Sequence, residues 1–243
     1  MFIYDNSFEG FLTAVFEAYR LKDFSGIAAE ENYQKGLFDA VQTIQTDPAK
    51  AEKVSTKLQT INEEVFFTVQ QCFLSGELDK EKIIFAYIQR SITAKRNLNG
   101  YRADPIIGAA LECLQRIGRE VQRLKGLLRF QELSDGSFYA ACEPDHCVLP
   151  LLAGHCRARF GSQNWLIHDV RRNMALIYQD KNLQLFDSVD IQNVRDKYAA
   201  REQQYQELWK TFWRNIAIAE RKNPRLQRQF MPQRYWKYLI EKN

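Results

Sequence analysis

Nine residues between positions 142 and 169 gather side chains suited to proton or metal chemistry. Glu143, Asp145, His146, His155, His168 and Asp169 bring carboxylates together with all three histidines of the chain, and Cys142, Cys147 and Cys156 add thiols. An imidazole beside a carboxylate is a minimal acid–base pair, because histidine titrates near neutrality. Asp145, His146, His155 and Asp169 are therefore the candidate catalytic residues. His168 and Asp169 are adjacent, but neighbours on a strand point to opposite faces, so their adjacency does not by itself make a contact. The spacing C-x3-H-C-x7-H-C fits no tetrahedral zinc pattern, so no metal site is expected. The sequence has no Walker A loop, no GxGxxG, no GxSxG and no cysteine spacing for an iron–sulfur radical cluster. No cofactor is expected, and a reading as an enzyme rests on the histidine region alone.

A second kind of chemistry lies in the charge distribution. The formal net charge is only +4. Residues 1–64 carry 6 basic and 11 acidic side chains, residues 90–129 carry 9 and 3, and residues 201–243 carry 10 and 4. Clustered Arg and Lys most often neutralise phosphates. In the first basic segment Arg116, Arg119 and Arg123 recur on one helix face and continue into Lys125 and Arg129. In the second, Arg225, Arg228, Arg234 and Lys237 alternate with Phe230, Tyr235, Trp236 and Tyr238, a mixture suited to single strands. These cations, with Tyr235, are the candidate nucleic-acid contacts. The alternative use of the same charges is an internal match with the acidic N-terminus, or an acidic protein partner.

The positioning elements follow from periodicity and punctuation. Phe2–Tyr4 reads as a strand, and Phe8 to Tyr19 as a helix with a wide apolar face. Residues 37–46 read as a second strand. Asp47-Pro48 and Asp104-Pro105 are helix starts, with Asp at the cap and Pro in the first turn. Helices are expected over Pro48–Leu58, Asn62–Leu74 and Asp79–Thr93, and from Pro105 to before Gly126. Strands are then expected over residues 127–133 and 137–142, joined by Asp135-Gly136, and over 164–169, 174–179 and 183–186. A helix capped by Asp145 should run from His146 to about Phe160. Chain order ββαβββ implies a mostly antiparallel sheet covered by helices, hence an α+β fold. A long helix from about Val194 to Arg221 should bury Trp209, Phe212, Trp213 and Ile216 as core, leaving the stretch after Asn223-Pro224 as surface. The chain reads as one α+β unit, with a possible division into 1–125 and 126–243.

At 243 residues with 45% hydrophobic content the chain can bury a core. No apolar run is long enough to span a membrane, and MFIYDNSFEG lacks the charged and apolar regions of a signal peptide. Five cysteines among apolar neighbours suit a reducing cytoplasm.

Five stretches also carry a resemblance: FIYDNSFEGFLTAVFEAY (2–19), GYRADPIIGAALE with GREVQRLKGLLRF (100–130), EPDHCVLPLLAGHCRARFG (143–161), NWLIHDVRR (164–172) and LWKTFWRNIAIAERKNPRLQRQFMPQRYWKYL (208–239). Together they resemble a bacterial family assigned to DNA metabolism or DNA repair and encoded beside, or fused to, a radical-SAM protein of DNA modification or repair. A related domain stands ahead of a uracil-DNA-glycosylase-like domain. The resemblance implies DNA and the radical-SAM protein as partners, and it transfers no catalytic residue. The family pattern has an aromatic at position 156, where this chain has Cys156, which again disfavours zinc. The expectation is a DNA-binding accessory protein. The alternatives are a DNA-acting enzyme of glycosylase or nuclease type, and a protein-interaction adaptor.

Overall fold

The computed structural model describes residues 1–34, 40–191, 193–216 and 218–243. Packing divides it into two compact units, Met1–Gly118 and Arg119–Asn243. The division lies inside a helix, after Gly118. The start of that helix packs in the first unit, where the Cys72 thiol donates to the Ala110 carbonyl at 3.4 Å.

The first unit opens with β1 (Phe2–Tyr4), α1 (Phe8–Leu21) and β2 (Ile27–Ala29). β1 is the centre of a three-stranded parallel sheet of order β2-β1-β3, with β3 at Gln42–Thr43. Of the expected strand over 37–46, residues 37–39 lie outside the described residues. Three helices follow: α2 (Pro48–Ile61), α3 (Glu63–Phe73) and α4 (Lys80–Ala94), and then α5 (Pro105–Leu127). The starts of α2, α3 and α5 are capped by side chains, whereas Asp79 before α4 makes no side-chain cap bond. Asp47 Oδ1 accepts from Ala49 N at 3.0 Å, Asn62 Oδ1 from Glu64 N at 2.8 Å, and Asp104 Oδ1 from Ile106 N at 2.9 Å. Phe11, Leu58, Val65, Val69, Ile88 and Ile107 are fully buried between them.

The second unit holds a five-stranded sheet of order β4-β5-β6-β7-β8. Its strands are Gln131–Glu132, Phe138–Cys142, Trp165–Asp169, Met174–Gln179 and Asn182–Phe186. β5 and β6 pair in parallel, joined by the crossover helix α6 (Leu149–Phe160), and the other pairings are antiparallel. α6 begins later than the expected His146. Asp145 and His146 form a bend before it, and their backbone N–H groups donate to the Glu120 carboxylate at 2.9 and 2.7 Å.

Strand alternation sorts the two sheet faces. Trp165 stacks on Tyr178, whose hydroxyl donates to the Gly161 carbonyl just past α6, so this parity faces α6. Tyr139, Ala141 and His168 have the other parity; Ala141 and His168 are register partners.

The expected helix from Val194 to Arg221 is broken. Val194–Lys197 is a 3-10 turn, Tyr198 bridges Leu133, and Ala199 N donates to the Glu132 carbonyl. Pairing with the edge strand β4 holds residues 198–199 out of a helix, so α7 covers only Glu202–Ile216. A short α8 (Pro224–Phe230), capped by Asn223, and further 3-10 turns end the chain.

In the first unit Gly10 has no room for a side chain: a Cβ there would lie 2.1 Å from Asp5 Oδ1, a carboxylate held by the Ser7 and Thr46 hydroxyls. Gly10→Ala should cost about 1–3 kcal/mol, read as a lower urea midpoint with an unchanged slope. An unaltered midpoint would contradict that packing.

Candidate functional site

The second unit is built around a buried carboxylate. Glu120 sits on α5 at the apolar-stripe spacing, three residues after Ile117 and four before Leu124, and all three are buried. Its carboxylate accepts from the backbone N–H of Asp145 and of His146, from the Tyr235 hydroxyl at 2.5 Å and from the Arg234 guanidinium at 3.3 Å. Burial pushes this carboxyl up in pKa. The Tyr235 hydroxyl and the two N–H groups outweigh burial and hold it below the usual carboxylate range. One side chain thus ties α5, the loop before α6 and the C-terminal segment together.

Two further carboxylates clip the same C-terminal segment. Glu143 accepts from Lys237 and from the Tyr238 hydroxyl, both at 2.6 Å, and these donors lower its pKa. The Glu241 side chain is fully buried. It accepts from Arg129 at 2.5 Å and from the Trp209 indole at 2.9 Å, and these bonds overcome burial to lower its pKa. Arg129 also lies over the Trp209 ring, at 5.2 Å.

The candidate catalytic residues are placed as follows. The Asp145 carboxylate pairs with Arg234 at 2.8 Å and lies 3.8 Å from Arg171. His146 is buried beneath Glu120. Asp169 is fully buried, and accepts from the backbone N–H of Arg171 and Arg172 and from the Arg172 guanidinium. Arg172 also donates to the carbonyls of Pro144 and Asp145. Asp145, His146 and Asp169 are therefore linked through Arg172 and Glu120, by way of the main chain of Asp145 and His146. No described hydrogen bond or ion pair brings His155, half-buried on α6, to them. His168 turns to the opposite face from Asp169; its Nδ1 lies 3.0 Å from the Tyr139 hydroxyl, and burial lowers its pKa. Cys142 and Cys156 are buried, and the Cys147 sulfur rests 3.8 Å from that of Met174.

The candidate nucleic-acid contacts divide into two sets. Arg116, in the first unit, pairs with Glu77 at 2.7 Å. Arg129, Arg234 and Lys237 are the cations of the clips just described. Tyr235 is only 2% exposed, so it is an anchor on Glu120 rather than a ring open to bases. Arg119, Arg225 and Arg228 are exposed and, among the described residues, have no carboxylate partner; Arg221 and Lys222 are likewise exposed without one. Arg123 reaches the Gln229 carbonyl at 3.5 Å, which brings the face of α5 that follows Arg119 up to the end of α8. Lys125, two residues further on, is half-buried.

α7 departs from the sequence expectation. Trp209 and Trp213 turn inward, but Tyr205, Leu208, Phe212 and Ile216 are 51–64% exposed and recur at helical spacing. The periodic pattern reports an apolar face correctly; that face is not covered by the core.

The signals for the residues missed from sequence differ. Glu120 was marked by a charge standing on an apolar stripe. Arg172, Glu241 and Tyr139 carried no comparable mark.

Residues 78–241 match the model of a domain of unknown function, DUF4130. No curated protein and no solved structure matches the chain.

Acid should release the C-terminal segment first. Glu120, Glu143 and Glu241 are all depressed in the folded state, so their contribution is complete above the ordinary carboxyl value of about 4.3 and is lost as pH falls through the folded values. Trp209, Trp213 and Trp236 lie in this segment and Trp165 in the sheet. In a Trp165→Phe protein, tryptophan emission should shift to the red at higher pH than the loss of far-ultraviolet circular dichroism. Coincident transitions would contradict the clips.

Proposed function

The chain belongs to the DUF4130 family, and we propose that it is a DNA-binding accessory protein of DNA repair or DNA metabolism, working beside a radical-SAM enzyme. The observation that carries the DNA reading is the division of its cations. A cation locked to an internal carboxylate has spent its charge, whereas one left exposed adds to the outward potential. Arg119, Arg221, Lys222, Arg225 and Arg228 belong to the second set, and the Arg123 contact with Gln229 joins the two segments that bear them. Guanidinium groups on a helix face track phosphates through paired N–H donors. The radical-SAM partner and the repair setting enter from the sequence resemblance alone.

Binding is favoured over catalysis because the Asp145 and Asp169 carboxylates are engaged by arginines. A second reading, a protein-interaction adaptor, is supported by the exposed apolar stripe of α7. Apolar patches of this kind mark protein contacts more often than nucleic-acid contacts.

The test is fluorescence anisotropy with short single- and double-stranded DNA at two salt concentrations. Affinity should fall as salt rises. Arg119→Glu combined with Arg123→Glu should weaken binding by roughly tenfold or more and reduce the salt slope by about 2. Binding that ignores salt, or that the double variant leaves unchanged, would contradict the proposal. Absence of DNA affinity, with a protein partner retained after nuclease treatment, would favour the adaptor.

A further inference from the structure

Between the end of α4 and the start of α5, residues 95–104 form a loop bearing three exposed cations, Lys95, Arg96 and Arg102. None of the three has a carboxylate partner among the described residues. The loop borders a pocket of about 300 Å3 in the first unit, with Ala94, Leu98 and Ile107 as its apolar lining and Arg96 and Tyr101 beside them. The Tyr101 ring is 51% exposed, and the Arg96 guanidinium lies over it at 5.1 Å. We infer that this loop is a second nucleic-acid contact, taking one unstacked base of a single strand at Tyr101 and the phosphates on either side of it at Lys95, Arg96 and Arg102.

The loop is fixed before any ligand arrives. The Tyr87 hydroxyl donates to Asn99 Oδ1 at 2.7 Å, the Asn99 amide donates to the Thr68 hydroxyl at 3.2 Å, and Asn99 N donates to Asn97 Oδ1 at 2.9 Å. Tyr101 N donates to the Leu98 carbonyl at 2.8 Å, and Asp104 N to the Tyr101 carbonyl at 3.0 Å, so the backbone is held on both sides of the ring. An aromatic side chain presented outward on an ordered backbone loses little freedom on binding.

The charges sort by the same rule as those of the second unit. Arg90 also lines the pocket, but it is paired with Asp104 at 2.7 Å and is discounted. Glu64 accepts from the Asn97 amide and brings one negative charge to the loop. Lys95 ends α4 and is partly offset by the negative end of that helix. Arg102 stands just before the N-terminal end of α5, where a cation does nothing for the helix. The balance is positive, and it surrounds an open ring and an apolar pocket. Charge for the backbone with a ring for the base is the pattern of single-strand contacts. A duplex keeps its bases stacked and would use the cations alone.

This inference rests on the nucleic-acid reading above, and it uses none of the residues on α5 and α8 that carry that reading.

Anisotropy and photocrosslinking on the full chain test it. The probes are a thymidine dodecamer carrying one 5-iododeoxyuridine and a duplex of the same length. A crosslinked peptide should contain Tyr101. Tyr101→Ala should weaken single-strand binding about fivefold or more, with duplex affinity and the salt slope unchanged, and Tyr101→Phe should retain binding. Lys95→Gln with Arg102→Gln should reduce the single-strand salt slope by about 1.4. All three side chains are exposed, so circular dichroism should not change. If Tyr101→Ala fails to fold, the crosslink and the glutamine pair decide. Single-strand binding that the loop variants leave unchanged, but that Arg119→Glu with Arg123→Glu abolishes, overturns the loop and leaves the surface of α5 and α8 standing. Failure of the unmodified chain to bind either probe overturns both.

Discussion

The Glu120 carboxylate has left water for the interior of the second unit, and such a group is tolerated there only when its lone pairs are satisfied. Four donors from two parts of the chain satisfy them: two backbone N–H groups of the loop before α6, and the Tyr235 hydroxyl and Arg234 guanidinium of the C-terminal turn. Each donor is fixed by the need to reach the same two oxygens. The loop is held in the conformation that delays α6 to Leu149, and the C-terminal turn at Gln233–Tyr238 is held against α5. Glu143 and Glu241 repeat the device further along the same segment. The C-terminal region is therefore attached largely by polar clips, with Tyr235, Leu239 and the Glu241 carboxylate as its buried side chains.

This mode of attachment explains the division among the cations. Residues near the clips are bound to carboxylates and contribute order. Those on the outer side of α5 and on α8 have no such partner and face solvent. It also explains α7, which is secured by Trp209 to Glu241 and by the Lys242 side chain over Trp213. Two inward tryptophans are enough to seat one edge of the helix, and its remaining apolar positions are left outside.

Much of the fold was legible because its causes are local. Asp47-Pro48 and Asp104-Pro105 fix helix starts through caps that involve only neighbouring residues, and Asp135-Gly136 sets the β4–β5 hairpin in the same way, with Gly136 in the left-handed region. The mostly antiparallel sheet followed from strand spacing. What was not legible depends on distant partners. The break at 198–199 comes from pairing with β4, the bend before α6 is tied to a glutamate on another helix, and Phe212 lies on a face of α7 that the second unit leaves open. In the candidate site, a basic pattern cannot distinguish Arg234, bound to Glu120 and Asp145, from Arg228, bound to neither. Tyr235 likewise carries the composition of a stacking residue and the position of an anchor.

The central claim is that clipped cations hold the fold while unclipped cations meet the polyanion. The most direct measurement compares Arg225→Ala with Arg228→Ala, made together, against Arg234→Ala alone, reading melting temperature and the salt dependence of DNA affinity on the same samples. The account predicts that the first pair keeps the melting temperature and loses salt slope, while Arg234→Ala lowers the melting temperature and keeps the slope below it. The reverse pattern would contradict it.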